Sequence, residues 1–486
     1  MFARPALLGV GLLIAATGLA GCFGDEPSPP PAGTPAPEQR DVAGGAPNFV
    51  IVLTDDQEPS SVAAMKQVRT EIGALGVSFE HAFASVPECC PSRVSLLTGQ
   101  YAHNHGVLSN EPPDGGFNGF ADANTLPVWL EDAGYRTAYV GKYLNGYGWD
   151  ALGNDPAYVP PGWSRWAALT NHTEYQMYGY TLNENGGLVD YGDEPADYQT
   201  DVLAERANRF IAKSAGRRPF FLTVAPTAPH DEGVLEGQQV PRNPRPAPRH
   251  EGRFERRQLP RGPAFNEADV SDKPSFIKRD PELTEAEVDE LTLLHRSRLE
   301  SLLAVDDLVG RLLATLRRTG ELERTIFVFT SDNGFVLGEH RQTGKEVVYE
   351  ESAGVPLLIR GPGFGRGETQ TRPVSNVDLV ATMVELSGVE AGVVLDGVSL
   401  AGEATDVASR PPVLIEMLTK REFAAIRTPR YVLAEYDRGG TELYDLRTDP
   451  DQLDNLRKDS RYRGVRRRLS TQLARLRDCA GESCRR

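Results

Sequence analysis

The stretch Pro87-Glu88-Cys89-Cys90-Pro91-Ser92-Arg93-Val94-Ser95-Leu96-Leu97-Thr98-Gly99 gathers residues that can do chemistry. It reads as the start of a helix. Pro91 sits where a first-turn proline is tolerated, because that N–H has no partner anyway. Ser95, Leu96 and Leu97 continue the helix, and Gly99 can close it in a left-handed cap. Two cysteines stand at its positive end, which favours negative charge and can bind an anion. Arg93 follows Cys89 by about one turn, so its guanidinium can face the same spot. A sulfur side chain, a helix N-terminus and an arginine suit a nucleophile acting on an oxyanion, and either cysteine is eligible. Two further pairs, Asp55-Asp56 and Asp332-Asn333, offer only oxygen ligands. Oxygen suits a hard cation such as calcium or magnesium, and not zinc. Asp-Asp is also a common turn, so the metal reading rests on the two pairs together.

The elements that must position these residues alternate between strand and helix from residue 48 onward. Phe49-Val50-Ile51-Val52-Leu53 is a continuous apolar run, the pattern of a strand buried on both faces, and it leads into Asp55-Asp56. Thr137-Ala138-Tyr139-Val140 leads into Gly141-Lys142, and Phe220-Phe221-Leu222-Thr223-Val224 leads through Ala228-Pro229 to His230. Thr325-Ile326-Phe327-Val328-Phe329-Thr330 leads into Ser331-Asp332-Asn333-Gly334. Open α/β sheets place their sites outside the carboxyl ends of strands, so these four runs predict one active-site edge. Periodicity predicts helices over 126–133, 291–316 and 378–386, with Gly134 and Gly388 ending the first and last. Residues 145–197 and 231–281 show no regular element and are expected to rim the pocket. The second of these carries Arg242, Arg245, Arg249, Arg253, Arg256, Arg257 and Arg261. They form either a polyanion-recognising loop or a solvated loop of counter-charges. Beyond residue 405, short extended runs at 413–416, 423–426 and 431–434 predict a small antiparallel sheet. Residues 462–476 predict an arginine-rich amphipathic helix. Cys479 and Cys484 are close enough in sequence for a small disulfide in an oxidising compartment.

Composition narrows the class. The 486 residues are 40% hydrophobic and 25% charged, ordinary for a soluble globular protein, and the net charge of -16 argues against nucleic acid as a partner. Five cysteines, none in a C-x-x-C pair, make neither a disulfide scaffold nor a cysteine-rich zinc site. Arg4 precedes an apolar run over 6–20 that is too short to span a membrane comfortably. It ends in Leu19-Ala20-Gly21-Cys22, which resembles a bacterial lipoprotein box, so lipidation of Cys22 is expected. The expected organisation is a signal peptide (1–21), a flexible tether (22–46), a catalytic domain (47–404) and a small C-terminal subdomain (405–486).

Cys89-Cys90-Pro91-Ser92-Arg93 with Leu97-Thr98-Gly99 resembles the signature of the type I, formylglycine-dependent sulfatases. Asp55-Asp56, Gly141-Lys142, Ala228-Pro229-His230, Ser331-Asp332-Asn333-Gly334, Lys345, Gly354-Val355-Pro356 and Leu443-Tyr444-Asp445-Leu446 follow in the family's order. Tyr101-Ala102-His103-Asn104-His105-Gly106, Gly141-Lys142-Tyr143-Leu144-Asn145 and Phe265-Asn266-Glu267-Ala268-Asp269 are most similar to the N-acetylglucosamine-6-sulfatase and arylsulfatase branch.

The resemblance implies an alkaline-phosphatase-like α/β fold: a large mixed sheet flanked by helices, with a smaller C-terminal antiparallel sheet plus helix. It implies that a maturation enzyme oxidises Cys89 to Cα-formylglycine, whose hydrate attacks sulfur. Calcium, ahead of magnesium, would be held by Asp55, Asp56, Cys89, Asp332 and Asn333. Arg93 would fix the geometry, Lys142 and Lys345 would contact sulfate, and His230 would assist the leaving group. Cys90 is then a bystander. The implied substrate is a sulfated carbohydrate or aryl sulfate, and the implied location is the extracytoplasmic face of a bacterial cell membrane. One departure stands out. Many members read G-K-x-H, and here the histidine's place is Leu144. His103 and His105 are candidates to replace it, and His340 is a candidate substrate contact. Two alternatives remain: a phosphate ester hydrolase on the same scaffold, or a glycan-binding surface lipoprotein with Cys89 unconverted. Phosphatases of that superfamily use Ser or Thr with zinc-binding histidine clusters, which disfavours the first.

Overall fold

Asn48–Thr54 (β1) is buried along its whole length and divides its side chains between two cores. Val50 and Val52 join one apolar cluster, and Phe49, Ile51 and Leu53 join the other, as the two-residue period of a strand requires. The computed structural model describes residues 45–171, 173–233, 243–402 and 410–485. Cys22, the signal segment, the tether up to residue 44, and Arg242 lie outside them.

After β1 come β2 (Val77–Phe83), α1 (Cys89–Thr98), α2 (Ala102–His105), α3 (Leu126–Asp132) and β3 (Arg136–Lys142). The stretch from 145 to 197 holds β4 (Arg165–Leu169), β5 (Thr181–Glu184) and β6 (Gly187–Asp190). Next are α4 (Gln199–Ser214), β7 (Phe220–Ala225), α5 (Glu285–Arg318), β8 (Thr325–Ser331), β9 (Val336–Leu337) and β10 (Thr343–Gly344). Then follow α6 (Glu350–Ala353), β11 (Gly354–Arg360), β12 (Glu368–Gln370), β13 (Val374–Ser375) and α7 (Val377–Ser387). The chain closes with β14 (Val413–Met417), β15 (Phe423–Arg427), β16 (Tyr431–Tyr436), β17 (Thr441–Asp445) and α8 (Arg463–Leu476).

Eleven strands form one mixed sheet in the order β12-β2-β11-β8-β1-β7-β3-β4-β5-β6, with β13 also on β2. Its centre, β8-β1-β7-β3-β4, is parallel, while β11 and the β5–β6 hairpin run antiparallel to their neighbours. Helices α4 and α5 bury apolar stripes on one face. Helices α1, α3 and α7 cover the other. Each fully buried leucine in such a stripe contributes about 1.5–3 kcal/mol.

The four strands β14-β15-β16-β17 make the smaller antiparallel sheet. One of its faces packs on Leu469, Leu473 and Leu476 of α8. The other packs on Phe83, Val86 and Ala102 at the end of the large sheet, so the small sheet braces the region around α1 and α2. Cys479 and Cys484 form a disulfide beside α8. No helix among the described residues is long and apolar enough to cross a membrane.

Candidate active site

Parallel neighbours end together. The carboxyl ends of β8, β1, β7 and β3 therefore deliver Asp332-Asn333, Asp55-Asp56, His230 and Lys142 to one edge. Helix α1 begins at that edge with Cys89 and ends at Gly99, whose φ of 71° forms the left-handed cap. Cys89 Sγ lies 3.4 Å from Asp55 Oδ1, 3.8 Å from Asp56 Oδ1 and 2.7 Å from Lys345 Nζ. Lys142 Nζ meets Asp55 Oδ2 at 2.6 Å, and Lys345 Nζ meets Asp56 Oδ1 at 2.5 Å. Arg93 lies one turn into α1. Its Nε donates to Asp332 Oδ2 at 2.7 Å, and its Nη1 donates to the Lys142 carbonyl oxygen at 2.6 Å. Ser92 Oγ donates to the Asp332 carbonyl oxygen. His230 Nε2 stands 3.5 Å from Asp56 Oδ2, and its Nδ1 is 2.7 Å from Asp231 Oδ1.

Three buried carboxylates thus face the buried Arg93 and Lys142 and the partly buried Lys345. Burial works to raise Asp55 and Asp56, yet Asp55 is pulled down by Lys142, His230 and Arg93, and Asp56 by Lys345 and His230. Burial and the neighbouring Asp55 carboxylate push the Cys89 thiol well up. His230 is raised, because Asp56 and Asp55 outweigh its burial. Asp56 also holds a backbone φ of 61°, an uncommon conformation for a non-glycine residue and one concentrated at functional sites.

The donor set fits a hard cation. Candidate ligand atoms of Asp55, Asp56, Cys89 and His230 all lie within 4.8 Å of one another. Asn333 Nδ2 is spent on Asp56 Oδ1 and the Gly334 carbonyl oxygen, whereas buried Asn333 Oδ1 has no hydrogen-bond partner. An orphaned buried acceptor among carboxylates is what a bound cation would satisfy.

The structure thus brings together Asp55, Asp56, Cys89, Arg93, Lys142, His230, Asp332, Asn333 and Lys345. Three histidines take other partners. His103, on α2, bonds Glu416 of β14 at 2.9 Å and the Cys479 carbonyl oxygen at 2.9 Å. His105 Nε2 pairs with Ser95 Oγ at 3.1 Å. His340 is fully buried, bonded to Glu267 at 2.6 Å and stacked 3.9 Å from the Tyr349 ring. No hydrogen bond or ion pair joins these rings to the Cys89 cluster among the described residues. Leu144 is buried among the apolar side chains of the core that contains α1. Cys90 is buried there too, and its backbone N–H donates to Asn110. In the arginine-rich stretch, Arg245 pairs with Glu232, and Arg249 pairs with Asp201 and Asp307, so both serve as counter-charges. Arg253, Arg256, Arg257 and Arg261 are exposed.

The His103–Glu416 pair carries a pH prediction. Burial alone would lower His103, but its bond to Glu416 leaves it above the ordinary value of 6.5. A raised folded value means the stabilisation is complete below pH 6.5 and is lost as pH rises through the folded value. His103→Gln is therefore expected to cost about 1–2 kcal/mol at pH 6 and much less at pH 9. Urea midpoints at the two pH values check it; an equal loss at both would remove the charged pair from the account.

Sequence reasoning missed three groups. Tyr175 sits in the unassigned stretch, with Lys142 Nζ 4.4 Å from its ring centre and the His230 ring also at 4.4 Å. Asn145 Nδ2 anchors its hydroxyl at 2.7 Å. Glu174 beside it is buried, and burial pushes its carboxyl up to about 7. Arg298 donates to the Asp56 carbonyl oxygen and, at 2.6 Å, to Glu58. A signal for Arg298 existed: it stands seven residues after Leu291, on the apolar stripe of α5. Tyr175 and Glu174 left no such pattern.

The large mixed sheet between helices, with a small antiparallel C-terminal sheet, defines an alkaline-phosphatase-like fold. Residues 47–389 match the Sulfatase family, and residues 338–479 match a second family, described as N-sulphoglucosamine sulphohydrolase, C-terminal. The chain belongs to the Sulfatase family and is a sulfuric ester hydrolase. Human N-acetylglucosamine-6-sulfatase is 32% identical, over 90% of this chain and 86% of that protein. An arylsulfatase of Volvox carteri is 33% identical, over 90% of this chain and 75% of that protein. A solved structure of a protein in complex with its substrate D-glucosamine-2-N,6-O-disulfate superposes with a TM-score of 0.73 at 25% identity. That match covers 88% of this chain and 97% of the other.

Proposed function

We propose that the chain removes sulfate from a sulfated sugar, with a 6-O-sulfated N-acetylglucosamine residue as the leading candidate. The convergence of Cys89, three carboxylates and three cations on one strand edge supports the ester chemistry best, and the likeness to N-acetylglucosamine-6-sulfatases supports the sugar. On this reading a maturation enzyme converts Cys89 to Cα-formylglycine. Asp55, Asp56, Asp332, Asn333 and the converted Cys89 hold calcium, with magnesium as second choice. When present, the ion supplies positive charge to the sulfate oxygens, and the hydrated formyl group supplies the hydroxyl nucleophile.

The encoded side chains do the rest. Lys142 and Lys345 rest on Asp55 and Asp56 and are placed to meet an incoming sulfate as point charges. His230, held between Asp56 and Asp231, can give its proton to the departing ester oxygen. Arg93 holds Asp332 and the end of β3 in one geometry. Tyr175 packs its ring against the Lys142 and His230 heads and helps hold them in place. We also read the protein as exported and lipid-anchored at Cys22, with a catalytic domain over 47–404 and a C-terminal subdomain over 405–486.

A sulfate-release screen over defined sulfated monosaccharides, with an aryl sulfate and a phosphate monoester alongside, tests this. N-acetylglucosamine-6-sulfate is expected to turn over at least about tenfold faster, by kcat/KM, than its 3-sulfate isomer. Mass spectrometry of the Cys89 peptide from active protein should show sulfur replaced by oxygen with two hydrogens lost. A wholly unconverted thiol in active protein would refute the formylglycine route, and preference for the phosphate ester would refute the substrate class.

A further inference from the structure

The edge of the sheet opposite the Cys89 cluster carries charge that hydrolysis does not use. Because β1, β3, β7 and β8 are parallel neighbours, their N-terminal ends share that edge. Arg136 opens β3, Lys213 lies in the last turn of α4, and Arg217 and Arg218 precede β7. These four residues line one depression of about 550 Å³. Arg136 Nη1 donates to the Lys213 carbonyl oxygen at 2.7 Å, which holds two of the four together. Lys213, Arg217 and Arg218 are exposed.

Among the described residues no carboxylate pairs with any of the four. Glu321, the buried acid at this edge, is taken by Asn48, the Gly216 N–H and Arg324. Burial, then the repulsion of Arg217 and Arg218, lowers the pKa of Arg136. A chain of net charge -16 thus gathers, at one end, four cations that no described carboxylate pairs with.

The chain also arrives at this end. Tyr135, next to Arg136, donates its hydroxyl proton to the Pro47 carbonyl oxygen at 3.1 Å. Arg324 donates to the Ala46 carbonyl oxygen at 3.2 Å. The described chain therefore begins, at Gly45 to Pro47, on the same edge as the cationic depression.

We propose that this edge docks on an anionic lipid surface, so that the start of β1 faces the membrane and the Cys89 edge faces away from it. The inference goes beyond the hydrolytic reading and does not depend on which ester is cleaved; only its tether rests on lipidation at Cys22. Each Lys or Arg near an anionic leaflet strengthens binding about fivefold, so four together give on the order of several hundredfold. That is weak for a free protein and ample for a tethered one, whose face is held close to the surface. Cys22 precedes Gly45 by 23 residues, a reach of about 75–80 Å when extended. A sulfated glycan is the less suitable occupant. The depression lies about 20 Å from Lys142 along the seven residues of β3, on the far edge of the sheet.

Residues 39–486 form one compact unit with its own cores, so this part can be tested without a lipid anchor. Its co-sedimentation with phosphatidylcholine vesicles, with and without one-third phosphatidylglycerol, is measured at low and at high salt. The expected result is binding to the anionic vesicles only, at least tenfold weaker in high salt. Arg136→Gln with Arg217→Glu and Arg218→Glu is expected to weaken it at least tenfold while leaving aryl sulfate turnover unchanged. Arg253→Glu with Arg256→Glu, on the exposed loop, should leave vesicle binding within about twofold. Equal binding to both vesicle types, an equal effect of the two variants, or capture of heparin in preference to anionic vesicles would each overturn the proposal. Turnover is read separately, so loss of vesicle binding with intact activity sinks the docking face and leaves the proposed reaction standing.

Discussion

Asp332→Asn is expected to lower kcat/KM on the order of 10³-fold while leaving a folded protein. The substitution keeps the shape and removes one charge. Asp332 Oδ2 accepts from Arg93 Nε at 2.7 Å, and its Oδ1 accepts from the Asp56 N–H at 3.1 Å and the Asn333 N–H at 2.8 Å. Burial and Asp55 push its carboxyl up while Arg93 holds it down, so the pair depends on both members. An amide there takes from the buried Arg93 guanidinium its nearer carboxylate and leaves it Asp55 alone, at 3.6 Å. Breaking a buried pair from one side costs about 3–5 kcal/mol, and each 1.4 kcal/mol of barrier is tenfold in rate. The variant should also lose calcium affinity by at least about tenfold, if Asp332 is a ligand. Steady-state kinetics and a calcium titration followed by melting temperature check both. Loss of turnover with unchanged calcium response would make Asp332 a partner of Arg93 alone; full activity would remove it from the site.

The site was legible where chemistry coincides with strand ends. The runs ending at Asp56, Lys142, His230 and Asp332 are apolar enough to read as buried strands, and they proved to be adjacent and parallel. What was illegible had local causes. β4 is Arg-Trp-Ala-Ala-Leu, short and poor in β-branched residues, so propensity says little about it. β11 contains Pro356, which argues against a central strand; a register shift between Val355 and Leu357 accommodates it. The β5–β6 hairpin did leave a signal that went unread, Asn185-Gly186 with both residues at positive φ. Helix α5 starts at Glu285, earlier than its apolar periodicity suggests. The Thr284–Glu287 capping box marks that start, ahead of the apolar stripe. Tyr175 was beyond reach for another reason. Its place beside Lys142 and His230 is set by loop packing between residues far apart in sequence, which no local pattern encodes.

The second large effect is expected from a methyl group. Gly141 precedes Lys142 in β3 and pairs with Ala225 of β7 at a φ of 117°, a conformation that L side chains rarely adopt. A Cβ built there would stand 2.0 Å from the Ala225 carbonyl oxygen, a backbone atom that cannot swing aside. Gly141→Ala must therefore push β3 off β7 at the residue before Lys142. That shift reaches two groups of the candidate site at once. Lys142 Nζ holds Asp55, and the Lys142 carbonyl oxygen receives Arg93 and the Tyr139 hydroxyl. A displacement of about 1 Å can cost on the order of 10²-fold in rate, and the strained backbone about 1–3 kcal/mol of stability. Gly439→Ala is the matched control, because its φ is 81° but nothing lies within 4 Å of the added Cβ. It should lose a similar backbone term and keep its activity. If Gly141→Ala retains activity within about threefold of Gly439→Ala, the close approach of β3 to β7 does not set the position of Lys142. If activity falls while circular dichroism and the melt stay near those of the control, the methyl acts through Lys142 and Arg93 rather than through global unfolding.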